Sequence, residues 1–250
     1  MSVDIETDSD KYLYGIVLAD TDLSEGTGGV QASQLHAVGS GRVAAVVSDL
    51  VETDILGTPD DLKAHIAVLD GIAAERPVLP LAFGTVIPAD ADIAGEVLAP
   101  REAEYVEALE GLSGLSQYTL LVRYDRDTIL REIILDNPEA AELRETIAGT
   151  DEDETRNERI RLGEIVVKTM ERWKTTEGPP ILNQLEPLTA DISVRESGQA
   201  EDVFEVAVLL AEESLAEFDD AIDKLAEANQ DRMRFRFVGP QAPYDFVPEM

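Results

Sequence analysis

The sequence predicts an α+β fold in two domains, a small N-terminal α+β domain over residues 1–114 and a C-terminal domain over residues 115–250. Three observations carry this expectation. A length of 250 residues with a 44% hydrophobic share allows two packed cores of ordinary size. Runs that alternate with period two are interleaved with runs spaced by three and four, so each half mixes strands with helices. Beyond Gly114 the order strand, helices, strand, strand, helix, strand resembles a ferredoxin-like unit with extra helices.

The first eight or so residues are polar and are expected to fray. Tyr12–Leu18 reads as a strand, followed by a polar loop from Asp20 to Gly29 that includes Gly26-Thr27-Gly28-Gly29. Leu35–Val38 and Val43–Val47 flank Gly39-Ser40-Gly41, a hairpin turn whose glycines accept positive φ. Asp60–Ala74 reads as a helix that starts just after Pro59. Its apolar stripe is Leu62, Ile66, Leu69 and Ile72-Ala73, at helical spacing. Pro77–Val86 is extended but too rich in proline for a central strand. A second helix from about Ala91 to Leu112 completes this half, and Gly111 and Gly114 mark the boundary.

Tyr118–Tyr124 opens the second half as a strand. Helical patterns fill Asp127 to Trp173, with breaks near Asn137-Pro138 and Gly149, and Gly178-Pro179-Pro180 is expected to stop the helical run. The acids Asp151–Glu154 precede Arg156, Arg159 and Arg161, an order that suits the helix dipole. Asp191–Val194 and Val203–Leu210 read as strands. Ser214–Ala228 is an amphipathic helix with Leu215, Phe218, Ile222 and Leu225 in one stripe. Arg232–Val238 alternates strictly and reads as the last strand, with Met233, Phe235 and Phe237 on one face and three arginines on the other.

Charge excludes several function classes. Fifty-two acidic residues face 20 basic ones, a formal net charge of -32 spread along the whole chain. Phosphate backbones are bound through lysine and arginine, so this field argues against nucleic acid as a partner, and equally against anionic membrane. At molar salt the Debye length falls to about 3 Å, which screens the self-repulsion. The composition is therefore read as adaptation to a salt-rich cytoplasm, as in halophilic archaea. The competing reading is an acidic mesophilic protein with a cationic partner. No apolar stretch is long enough for a membrane span, and the acidic N-terminus is unlike a secretory signal. The absence of cysteine removes disulfides, thiolate metal sites and cysteine catalysis.

Motifs for chemistry are missing. The glycine clusters lack both the phosphate-loop and the dinucleotide patterns and read as turns. His36 and His65 are the two histidines; neither sits in a metal-binding spacing, and both read as structural. Carboxylate pairs are too frequent to single out a dyad, and no serine elbow occurs. No catalytic, cofactor or metal residue is therefore expected, and the chain is not read as an enzyme. Arg232, Arg234 and Arg236 are candidate partner-binding residues, because guanidiniums in a row can dock carboxylates bidentately. The competing reading has neighbouring acids neutralise them within the domain.

Leu79-Pro80-Leu81-Ala82-Phe83-Gly84-Thr85-Val86 resembles the proline-leucine-x-phenylalanine-glycine-threonine motif of the gas vesicle F/L proteins. Phe237-Val238-Gly239-Pro240-Gln241-Ala242-Pro243-Tyr244-Asp245-Phe246-Val247 resembles that family's C-terminal segment, and Tyr14–Val17 matches its opening strand. Ala82 stands where a basic residue is expected, and Gln241-Ala242 where an aromatic and a proline are. The resemblance implies a gas vesicle accessory or minor structural protein, haloarchaeal given the acidity. Such a protein would bind the hydrophobic wall protein and other vesicle proteins during assembly, and would carry no cofactor. It adds Pro240, Pro243, Tyr244 and Phe246 of the tail as candidate partner contacts, against the reading that the tail clamps back onto a domain. A ferredoxin-like module that binds a small regulatory ligand is the alternative function.

Overall fold

The computed structural model describes residues 9–23, 28–50, 56–196 and 198–247. The expected frayed start, Gly26-Thr27 of the glycine-rich loop and the last three residues of the tail lie outside the described residues. The fold is α+β. Packing divides the chain into two compact units, one of the residues up to Tyr118 together with those from Gly239 onward, the other Thr119–Val238.

In the first unit, β1 (Lys11–Leu18), β2 (Leu35–Ser40), β3 (Val43–Asp49), β4 (Val78–Pro80) and the two-residue β5 (Val86–Ile87) form one antiparallel sheet. The order is β2-β3-β1-β4, with β5 also pairing β1. β1 and β3 are the central strands, and six consecutive residues of each are buried, as strands covered on both faces require. The hairpin turn falls at Gly41-Arg42, one step later than the glycine spacing suggests: Gly39 pairs with Ala44 inside β2, and only Gly41 takes positive φ, at 59°. The proline-rich segment supplies the edge strand β4, where a residue without an N–H is tolerated.

α1 (Pro59–Ala73) begins as expected, with proline at its first position, but presents a different face to the core. Asp61, His65, Val68 and Leu69 are buried, while Leu62 and Ile66 are each 42% exposed. Hydrophobicity alone misplaces this helix because Asp61 and His65 find hydrogen-bond partners inside, which removes the penalty that would keep them out. The single helix expected from Ala91 to Leu112 is also broken. Ile93–Leu98 forms a wide turn of π type, Ala99–Arg101 a tight 3-10 turn, and α2 (Glu102–Gly111) starts only then. Pro100 lacks the N–H a continuous helix needs at that point.

The second unit follows the strand order read from the sequence. β6 (Leu115–Tyr124) leads into α3 (Arg126–Asp136), α4 (Pro138–Ile147) and α5 (Arg156–Leu185). Next come β7 (Asp191–Arg195), β8 (Asp202–Ala211), α6 (Leu215–Ala228) and β9 (Met233–Gln241). The sheet order is β7-β8-β6-β9, the ferredoxin-like arrangement with α4 and most of α5 as the elaboration. Phe218, Ile222 and Leu225 of α6 are buried as expected, and Phe218 meets Phe237 of β9 at 5.3 Å between ring centres.

Gly178-Pro179-Pro180 does not stop α5, which continues to Leu185. Two prolines inside a helix remove two hydrogen bonds and cost on the order of 3 kcal/mol each. The burial of Gly178, Ile181 and Leu185 at this end offsets that cost, and packing overrides local propensity.

Two glycines give opposite expectations. A Cβ on Gly15 of β1 would lie 2.7 Å from the Leu79 carbonyl oxygen, too close for backbone to yield. One on Gly178 would meet Val203 and Phe204 at 3.5 Å, ordinary contact. Gly15→Ala is expected to destabilise by about 1–3 kcal/mol, and Gly178→Ala to be neutral or stabilising by up to about 1 kcal/mol. Urea unfolding at fixed molar salt reads both.

Candidate functional site

The inner face of α1 builds the most elaborate polar cluster of the N-terminal unit. Thr58 caps the helix: its hydroxyl accepts from the Asp61 N–H at 3.2 Å and donates to Asp61 Oδ2 at 2.8 Å. That carboxylate also accepts from the N–H groups of Gly57 and Thr58. Burial alone would raise the Asp61 carboxyl, but the bonds from Thr58, Gly57 and the Gln31 backbone outweigh it and hold it below the usual range.

One turn on, the His65 ring is 1% exposed and bonded at both nitrogens, Nδ1 to the Tyr12 hydroxyl at 3.0 Å and Nε2 to the Tyr244 hydroxyl at 2.9 Å. A neutral imidazole has one donor and one acceptor, and two phenols satisfy it in either tautomer. Burial pushes its pKa down, opposed by the Leu81 carbonyl. Tyr12 also accepts from the Gly84 N–H at 3.0 Å. Its hydroxyl is pushed up to about 12, chiefly by burial, so it stays protonated. Tyr14 stacks on His65 at 5.8 Å, Phe83 meets the same ring edge-on at 5.6 Å, and Tyr14 closes the cluster by bonding Ser48 and the Val30 N–H.

The tail completes it. The Ala242 N–H donates to Asp70 Oδ1 at 2.8 Å, and Ala242 is fully buried among Tyr12, Tyr14, Val68 and Leu69. Burial raises the Asp70 carboxyl, and the bond from Ala242 partly offsets it. Gln117 and Asp245 bond reciprocally, side chain to side chain at 2.8 Å and backbone N–H to side-chain oxygen at 3.2 Å. Of the four tail candidates, Pro243 is buried, Phe246 half-buried, Pro240 exposed, and Tyr244 is 41% exposed although its hydroxyl reaches His65.

The three arginines lie in the second unit and are not equivalent. Arg232 is bound to Glu132 and Glu177 and lies 5.4 Å from the Trp173 ring centre. Glu177 in turn accepts from the Tyr124 hydroxyl. Arg234 pairs with Asp125 at 3.0 Å and donates to the Gln230 carbonyl, yet remains 66% exposed. Arg236 is exposed, and among the described residues no carboxylate lies within ion-pair distance of it. His36 is exposed in β2. Among the described residues no cluster of three or more potential metal ligands occurs, and no helix is long and apolar enough to cross a membrane.

Two segments distant in sequence, Leu81–Gly84 and Ala242–Asp245, thus converge on one histidine. Both lie within the span matched by the family description "Gas vesicle synthesis protein GvpL/GvpF", which covers residues 10–248. The chain belongs to this family. Gas vesicle protein F of Streptomyces sp. (strain CB03234) is 31% identical over 240 residues, covering 94% of this chain and 98% of that protein. Gas vesicle protein F1 of Halobacterium salinarum is 27% identical over 247 residues, covering 94% and 92%. Two crystal structures share the fold. GvpF from Anabaena sp. PCC7120 has a TM-score of 0.77 at 20% identity, covering 97% of this chain and 99% of that one. GvpF from Microcystis aeruginosa has 0.74 at 21%, covering 95% and 98%. Family membership ties the chain to gas vesicle formation.

Sequence reasoning singled out Tyr244 as a candidate partner contact, not as a partner of His65, and did not single out Asp61, Asp70, Gln117 or Ala242. The available signal was Thr58-Pro59-Asp60-Asp61, a helix cap with an acid three residues on.

His65 makes stability depend on pH. The unfolded chain holds a histidine near pKa 6.5, while burial holds the folded one lower. Below about pH 6.5 the unfolded state therefore binds a proton the folded state refuses, and stability falls as pH drops, by at most about 1.4 kcal/mol per unit. Asp61 and Asp70 titrate in both proteins, so comparing wild type with His65→Gln between pH 7.5 and 5.5 isolates the imidazole. The wild-type urea midpoint is expected to fall more steeply than the variant's.

Proposed function

We propose that this protein is an accessory or minor structural protein that binds the hydrophobic wall protein, and other vesicle proteins, during gas vesicle assembly. The observation that carries the reading is the inverted face of α1. Leu62 and Ile66, one turn apart, stand 42% exposed on a helix whose inner face is pinned by Thr58, Asp61 and His65. A rigid helix with an outward apolar ridge suits an apolar partner, because little ordering entropy is lost when it docks. The acidity supports the same role: a strongly charged protein keeps itself dispersed while it covers a partner prone to aggregate. The tail is a second candidate contact, through the exposed Tyr244 and Pro240. The relatives are named gas vesicle proteins, and we take the role of this chain to be non-catalytic. The acid-rich surface also suits a salt-rich, haloarchaeal cytoplasm.

A pull-down at molar salt, with this chain as bait and the wall protein as prey, tests the reading. Recovery is expected with wild type and is expected to fall at least tenfold in Leu62→Asp/Ile66→Asp, with the far-UV spectrum unchanged. Equal recovery by the folded variant would remove α1 from the contact. No recovery with wild type at any salt concentration would overturn the binding role itself.

A further inference from the structure

We propose that a cationic cleft between α4 and α5 binds a carboxylate-bearing segment of a partner protein. The cleft lies wholly within the second unit, and the proposal does not depend on the α1 contact described above.

α5 reverses the charge of the chain around it. Over residues 156–174 it carries Arg156, Arg159, Arg161, Lys168, Arg172 and Lys174 against three acids, Glu158, Glu164 and Glu171, a net charge of +3 in a chain of -32. Arg161, Lys168 and Arg172 are separated by seven and then four residues, close to two turns and one turn, so they form one stripe along the helix. That stripe lines a cleft of about 520 Å³, which Asn137 and Glu139 line from the start of α4. The buried Ile165 lines it as well. The volume is that of sites that hold small ligands, enough for a few side chains of a docking segment.

The first cation of the stripe shows what the cleft holds. Arg161 takes Glu139 of α4 in a forked pair, at 2.8 and 3.5 Å, and Glu164 at 3.3 Å. The fork is the strong and specific form of the guanidinium–carboxylate bond. Farther along, the acids run out. Glu164, one turn before Lys168, is engaged by Arg161, and α4 begins only at Pro138. Lys168 and Arg172 are exposed, and among the described residues no carboxylate lies within ion-pair distance of either. One turn separates them, so their side chains start about 6 Å apart. Carboxylates at alternate positions of an extended segment are spaced about 7 Å, a match to this pair.

Charge selects the class of occupant. A nucleic acid would carry phosphates beyond the cleft into the field of 52 acids against 20 bases, which repels them. A short acidic segment keeps its charge within the one positive stretch.

The test uses the full chain and fluorescent peptides with glutamate at alternate positions, against their glutamine counterparts, at the lowest salt at which circular dichroism shows the chain folded. The glutamate peptide is expected to bind and to lose affinity as salt rises. Arg172→Glu is expected to weaken binding roughly tenfold or more. Lys224→Glu, the same charge change on an exposed lysine of α6 outside the cleft, is expected to weaken it far less. Lys168→Gln is the substitute if Arg172→Glu unfolds. Inorganic phosphate and free glutarate, added as competitors, separate a protein segment from a small anion. The proposal is overturned if the wild type binds the glutamate peptide no better than the glutamine one, or if a folded cleft variant binds no worse than Lys224→Glu. Displacement of the peptide by an equal concentration of phosphate or glutarate overturns it too.

Discussion

Burying an imidazole and a carboxylate one turn apart on the inner face of α1 obliges the N-terminal unit to find a partner for every polar atom they carry. The rest of that unit is arranged around this obligation. Tyr12 of β1 and Tyr244 of the tail take the two nitrogens of His65, while the cap residue Thr58 and the neighbouring backbone N–H groups take Asp61. An unpaired group at this depth would cost about 1–3 kcal/mol, so each partner is held in place by the penalty for its loss. The same commitment turns Leu62 and Ile66 outward. The exposed ridge and the buried polar pair are two sides of one helix orientation.

The C-terminal unit manages charge in another way. Its half-buried guanidinium, Arg232, sits between Glu132 and Glu177 with Trp173 beside it, a network that neutralises the residue within the fold. Two residues on, Arg234 is half engaged, and two further, Arg236 faces solvent. A run that looks uniform in sequence therefore grades from structural to available along one strand. The helices α3 and α5 supply acids only at the strand's start.

Much of the fold was legible in the sequence because its signals are local. Alternation in Met233–Val238, the Phe218-Ile222-Leu225 stripe and the breaks at Asn137-Pro138 and Gly149 all report on neighbours within a turn or a strand. The failures share a cause. Leu62 and Ile66 look like core residues, and Pro179-Pro180 like a stop, until distant residues enter: Tyr244 lies 179 positions from His65, and Val203 and Phe204 pack on Gly178. The site was legible only where a family segment marked it, at Phe83-Gly84 and Tyr244. The carboxylates of Asp61 and Asp70 were hidden among 52 acids whose bulk is surface charge.

The N-terminal unit is discontinuous, since Ala242 fills its core and Tyr244 and Asp245 close its hydrogen bonds from the far end of the chain. This has a consequence for synthesis. At about 5–20 residues per second, roughly 6–24 s separate the emergence of Tyr118 from that of Gly239. Through that interval His65 lacks one partner and the core lacks one residue. The first-made half thus completes its core only once the segment from Gly239 to Asp245 has emerged. A chain interrupted before Gly239 would leave that unit without the residue that fills its core and without the second partner of His65.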